Sequence, residues 1–339
     1  MQHRMGNGDL LDGQGRLIER GWASGEVRRY DRKAIRASGW RIKEWDYYCI
    51  TTDSHALALT VADNGYLGFL GLSWMDLVAG TATNHGTVIP FPFGRMNLPC
   101  SADAGDIRQC HGGVELEFRL EHGARQLTFS APGFDQGKGL SGQLLLQQPA
   151  DDRMVIATPF ADAPRAFYYN QKINCMPASG EVVLGGEHIR FAPKTAFAVL
   201  DWGRGVWTYD NTWYWASASG LLDARRFGFN LGYGFGDTSA ASENMLFLDG
   251  KAHKLDQVAF HMPEGRPDSA PWHITSNDGR LDMRFDPIVD RFDKVDLGLL
   301  RTVQHQVFGR FSGKAIADDG EVLEFADLVG FAEKVHNRW

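Results

Sequence analysis

The stretch Val114-Glu115-Leu116-Glu117-Phe118-Arg119-Leu120 sets apolar residues at every second position with charged residues between them. Strict period two is the pattern of a strand with one buried and one wet face. Residues 126–130 follow a polar turn and are placed to return antiparallel. Outward from this pair the same grammar repeats. Asp63-Asn64-Gly65, Gly185-Gly186, Asp249-Gly250, Asp278-Gly279 and Asp319-Gly320 are turn dipeptides that supply positive φ at low cost. Between them, strands are predicted over 44–52, 56–62, 66–72, 140–148, 167–175, 181–184, 188–191, 197–201, 212–217, 226–232, 244–248, 254–261, 280–285, 309–317 and 321–325. Only 73–79 and 328–334 read as short helices, and 151–165 reads as the most loop-like internal stretch.

Composition supports many short strands. The chain of 339 residues holds 39 Gly and 40 aromatic residues (10 Trp, 9 Tyr and 21 Phe). Glycine punctuates turns, and aromatics favour half-buried strands. Strands joined mostly by short turns describe antiparallel barrels or sandwiches, not alternating βαβ units. A chain of this length corresponds to about two domains. The expectation is an all-β fold of two antiparallel barrels, 1–195 and 196–339.

Charge and motifs narrow the function. A net charge of −7 without a block of Lys or Arg makes a poor partner for nucleic acid or an anionic membrane. The longest apolar stretches, such as 56–62, are too short to span a bilayer. Residues 1–15 are polar and glycine-rich, without the apolar core of a secretory signal, so the cytoplasm is the expected location. The four cysteines show neither zinc-ligand nor CxxC spacing, and four in so long a chain do not require an oxidising compartment. No HExxH, Walker A or GxSxG string is present, so neither a metal nor a cofactor is expected. Oligomeric state is not legible.

The candidate site is the run Asp201-Trp-Gly-Arg-Gly-Val-Trp-Thr-Tyr-Asp-Asn-Thr-Trp-Tyr-Trp215, with four tryptophans in fifteen residues. Trp213 and Trp215 share a strand face. Gly203 and Gly205 flank Arg204 and suggest close backbone approach or a turn. Two readings stay open. In one, Arg204 pairs with Asp201 and stacks on an indole, a purely structural corner. In the other, Asp201 is a general acid among indoles, where burial disfavours its charged form. Arg204, Trp207, Tyr209, Trp213 and Trp215 would then bind an apolar ligand, with Asn170 and Lys172 contributed from one face of a neighbouring strand. Glu44 and Asp46 share a face; they read as a solvated acidic edge beside Arg41 or Lys43, or as a carboxylate pair for sugar chemistry.

Longer strings carry a resemblance. Lys43-Glu44-Trp45-Asp46-Tyr47-Tyr48, the 201–215 run, Asn230-Leu231-Gly232-Tyr233-Gly234-Phe235-Gly236, Glu243-Asn244 with Asp249-Gly250, Ser276-Asn277-Asp278-Gly279-Arg280-Leu281 and Gly330-Phe331-Ala332-Glu333 resemble the family called domain of unknown function 2804. More distantly, the order of a Tyr-Tyr pair, Lys172, 178–182, a Gly-Gly turn, Asp-Trp-Gly and Trp-x-Trp is similar to the carotenoid hydratase and AttH-like superfamily. That resemblance implies two lipocalin-like barrels, an apolar ligand and, in some members, cofactor-free protonation or cyclisation of olefins by an acid in an aromatic pocket. Asp201 matches the superfamily's Asp before Trp. The superfamily's Asp-His-x-Trp string is not kept, since Trp202 and Gly203 stand in its place. Three functions follow as expectations: a cofactor-independent hydratase, cyclase, lyase or isomerase; a non-catalytic carrier of a hydrophobic ligand; or a carbohydrate-binding or carbohydrate-active protein.

Overall fold

The computed structural model describes residues 2–296, 298 and 300–338. Strand accounts for 63% of it and helix for 3%, so the all-β expectation holds. No helix is long and apolar enough to cross a membrane.

The strands form two large antiparallel sheets, one curled into a nearly closed barrel and the other into a half-barrel. The first has thirteen strands, with Thr81–Pro90, Leu67–Asp76, His55–Asp63, Ile42–Thr51, Phe197–Val206 and Ala163–Leu184 in consecutive order along one side. Ala163–Leu184 is long enough to take part in two regions. Its first part lies between Phe197–Val206 and Met154–Phe160, and its second part pairs with Leu140–Gln147 and Glu187–Phe191. The register shifts between Ile173 and Met176, where Cys175 has a positive φ of 58°. Such a bulge bends the strand and re-aims the side chains on either side of it. The second sheet has nine strands and centres on Asp210–Leu222, Val322–Arg338, Arg301–Ile316 and Leu281–Asp296.

Alternation builds three cores. Tyr48, Ile50, Leu57, Leu59, Leu116, Phe118 and Phe129 fill the barrel. Phe227, Phe229, Trp272, Phe285 and Phe311 fill the half-barrel. Tyr47, Cys49, Val199, Trp215, Phe308 and Phe331 form a third cluster in the seam where the two sheets meet. The Ile42–Thr51 strand therefore sends Tyr48 and Ile50 inward and Tyr47 and Cys49 to the seam.

Several elements differ from the sequence reading. Residues 328–334 are strand, within Val322–Arg338, not helix. That strand lies between two others and is buried on both faces over 329–333, which erases the period-two signal. Residues 73–76 likewise belong to the strand Leu67–Asp76, buried almost throughout. Met154–Phe160 is a strand inside the stretch read as loop. Thr81–Pro90 and Ile107–His111 were not anticipated; both are polar end strands of the main sheet path, with half-exposed faces. Phe197–Val206 pairs on both sides within the larger sheet, and the chain passes to the second sheet over 207–209.

Candidate functional site

The strand Phe197–Val206 is buried at every position, so each of its faces meets a different interior. Trp202 and Arg204 point into the barrel core; Asp201, Gly203 and Gly205 point to the seam. On the seam face, cross-strand partners fall into rows. One row runs Lys172, Asp201, Tyr47, Thr60, and the next runs Asn170, Gly203, Trp45, Ala62, Phe69. Gly203 has a steric reason: the Trp45 indole occupies the space a Cβ at 203 would need.

The half-barrel presents matching rows from the opposite side. Arg291, Gln306, Glu333 and Trp215 stand side by side on four adjacent strands. Asp293, Gln304, Val335 and Trp213 form the next row. Tyr47 Oη donates to Gln306 Oε1 at 3.1 Å and pins the two sheets together. Between the rows lies a cavity of about 350 Å³, walled by Trp45, Tyr168, Trp207, Trp213, Trp215 and Phe235. The rings meet mostly edge to face: Trp207–Trp213 at 73° and Trp213–Phe235 at 77°. This is favourable aromatic packing, not a flat row of open indole faces.

The polar groups beside the tryptophans are connected. Lys172 Nζ lies 2.8 Å from Asp201 Oδ2 and 3.6 Å from the centre of the Trp215 ring. Asn170 Nδ2 donates to Asp201 Oδ1 at 2.6 Å, so both carboxylate oxygens are engaged. Trp213 Nε1 donates to Glu333 Oε1 at 2.9 Å. Trp215 Nε1 donates to Asn230 Oδ1 at 2.7 Å, and Asn230 Nδ2 donates to Glu243 Oε2 at 3.2 Å. Burial pushes the Glu333 carboxyl up to about 7; the Trp213 N–H and the Lys172 charge pull it down, and Asp201 adds to the rise. Burial also raises Glu243, against the pull of Lys172.

Of the residues singled out from sequence, Lys172, Asp201, Trp207, Trp213 and Trp215 line the cavity. Asn170 is fully buried behind them and bonds Asp201. Arg204 is a correction. It does not pair with Asp201, because residues three apart on a strand face opposite ways. Its Nη2 reaches Asp46 Oδ1 at 2.9 Å and Pro99 O at 2.8 Å, and its Nη1 bonds Trp45 O at 2.7 Å and Gly203 O at 2.8 Å. Its guanidinium lies 4.2 Å from the Trp202 ring, inside the barrel. Tyr209 is 52% exposed and not part of the cavity wall. Glu44 and Asp46 are not a solvated edge: both are buried, Glu44 against Tyr30 and Arg32, Asp46 against Arg204.

Glu333, Arg291, Gln306, Tyr47 and Trp45 line the same cavity and were not expected as site residues, although Trp45, Tyr47 and Glu333 fall in the strings that carry the family resemblance. Glu333 had a signal, a lone acid after the apolar run 328–332. Reading that run as helix hid its alternation with the seam residues Val329 and Phe331.

The chain belongs to the family described as domain of unknown function (DUF2804), whose model matches residues 2–339. No curated protein matches the sequence. Among solved structures, a candidate AttH from Nitrosomonas europaea is 13% identical, with a TM-score of 0.56 over 92% of this chain and 98% of that one. CghA, solved with Sch210972, is 12% identical, with a TM-score of 0.55 over 98% and 97%. Kievitone hydratase from Nectria haematococca is 12% identical, with a TM-score of 0.52 over 88% of each chain. At such identity the likeness establishes the AttH-like fold.

Proposed function

We propose that this chain is a cofactor-independent acid–base enzyme that protonates a carbon–carbon double bond of a largely apolar small molecule, hydrating, cyclising or isomerising it. The observation that carries the reading is Glu333, a buried carboxyl held near 7 at the wall of an aromatic cavity. A general acid works best when its pKa lies near the operating pH. Glu333 would give its proton to one alkene carbon, and its carboxylate would be met by the Trp213 N–H and the nearby Lys172 charge. The cation left on the second carbon would face the indole rings, whose π faces favour positive charge. Capture by water, which then returns a proton to Glu333, gives hydration. Capture by an internal double bond followed by proton loss gives a ring, and proton loss alone gives an isomer. Asp201, the acid expected from sequence, has a different part here. With its oxygens on Lys172 and Asn170 it holds the ammonium in place and helps keep Glu333 protonated. The likeness to a protein named as a hydratase supports this class of chemistry.

The test is a panel of unsaturated apolar compounds incubated in D₂O and followed by mass spectrometry. The expected result is deuterium incorporation by the wild-type protein and a loss of at least about 100-fold in Glu333→Gln, with binding retained. Saturable binding of the compounds without deuterium incorporation would move the chain to the carriers. A Glu333 carboxyl whose infrared band titrates at the ordinary 4.5 would remove the acid on which the proposal stands.

A further inference from the structure

Three cations line the cavity, Lys172 from the barrel sheet and Arg291 and Arg301 from the half-barrel, and their partners differ: Arg301 Nε lies 3.7 Å from Asp296 Oδ2. Lys172 is matched by Asp201. Arg291 is held only by neutral oxygens: its Nε donates to Ser73 Oγ at 2.9 Å and Asn84 Oδ1 at 3.1 Å, and its Nη1 to Gln306 Oε1 at 2.8 Å. Among the described residues no carboxylate comes within 4.0 Å of it, and its Nη2 makes no hydrogen bond. The guanidinium is thus fixed in position by three acceptors while its charge is unmatched. A guanidinium always carries its charge, and this half-buried one is held in place with an unused N–H edge that an anion can meet.

We propose that the ligand carries a carboxylate that seats on Arg291, so that the substrate class is an unsaturated apolar acid and not a neutral hydrocarbon. This rests on the cavity being the ligand site. One guanidinium with a free Nη2 and no second unmatched cation in the first row suits a monoanion. A dianion such as phosphate would meet the carboxylates of Glu333 and Asp293, which line the same space. The sheet also sets a ruler. Arg291 and Glu333 stand two strands apart in one row, with Gln306 between them. Neighbouring strands lie about 4.8 Å apart, so the strands that carry the anion site and the proton donor are separated by roughly 10 Å. An acid seated on Arg291 would lie across Gln306 with its double bond toward Glu333 and its apolar part against Trp213 and Trp215.

The experiment compares three matched probes, geranic acid, its methyl ester and geraniol, by quenching of tryptophan fluorescence at pH 7.5. Wild-type protein should bind the acid at least about tenfold more tightly than the other two, the scale of one charge-assisted contact. Arg291→Met should bring the acid down to the level of the ester, and Arg291→Lys should keep part of the preference. Equal binding of all three by the wild type overturns the carboxylate assignment and leaves the cavity as an apolar ligand site. Failure to bind any of the three overturns the cavity reading and the carboxylate with it. The wild-type comparison needs no variant, so misfolding of Arg291→Met cannot decide the outcome.

Discussion

The strand Phe197–Val206 touches two buried ion pairs, one on each face. On the barrel side, Arg204 is closed in by Asp46, the carbonyls of Trp45, Gly203 and Pro99, and the Trp202 ring. On the seam side, Lys172 and Asp201 border a cavity that also holds Glu333. Both pairs are buried and both sit among indoles, so residue type and burial do not tell them apart. The difference lies in what surrounds them. The Arg204 pair has its donors spent and is closed off from solvent, which fits a part of the scaffold. The Lys172 pair faces open volume, with a second carboxyl in the next sheet. Completeness of partners, not the presence of charge, separates scaffold from site.

Substitutions can break this comparison. Arg204→Met should be the most damaging, because it strands Asp46 inside the barrel; a loss of about 3–5 kcal/mol is expected in urea unfolding. Asp201→Asn should cost less, roughly 1–2 kcal/mol, since the cavity lets water reach Lys172 and the amide can still accept a hydrogen bond. Equal losses would mean that both pairs are scaffold.

A second measurement isolates Glu333. Its carboxyl sits near 7 when folded against an ordinary 4.5, so the folded state holds this proton more tightly than the unfolded chain. The resulting stability is fully present below 4.5 and is lost as pH rises through 7, an effect on the order of 3 kcal/mol. Glu333→Gln cannot ionise and should lose that slope, so wild type and variant should run together below 4.5, separate as pH rises from 4.5 to 7, and stay apart above it. Parallel stability curves would show an ordinary carboxyl and deprive the proposal of its proton donor.

The smallest effect is expected at Tyr209. Exposed and outside the cavity wall, Tyr209→Ala should leave geranic acid binding unchanged and shift stability by no more than about 0.5 kcal/mol. A clear loss of affinity would extend the ligand site beyond the seam.

The alternation of Val114 to Leu120, the Asp-Gly turns and the density of glycine and aromatics made the all-β class legible, because strand periodicity and turn chemistry are local properties of the chain. Locality also placed Asn170 with Lys172 and Trp213 with Trp215 on shared faces. It contained enough to separate Asp201 from Arg204, since an odd spacing on a strand turns two side chains apart. Partners were another matter. Asp201 meets Lys172 because two strands pair in one register, and Arg204 meets Asp46 through a strand more than 150 positions away, with 158 between the two residues. Trp213 and Glu333, 120 residues apart, meet only because Asp210–Leu222 and Val322–Arg338 are neighbours in the half-barrel. Glu333 lies on a central strand buried on both sides, where alternation vanishes and helix and strand look alike in sequence. The cavity belongs to neither sheet alone. It exists because the outer face of the barrel and the seam-facing rows of the half-barrel meet, and that meeting is set by the packing of whole faces, which no local pattern encodes.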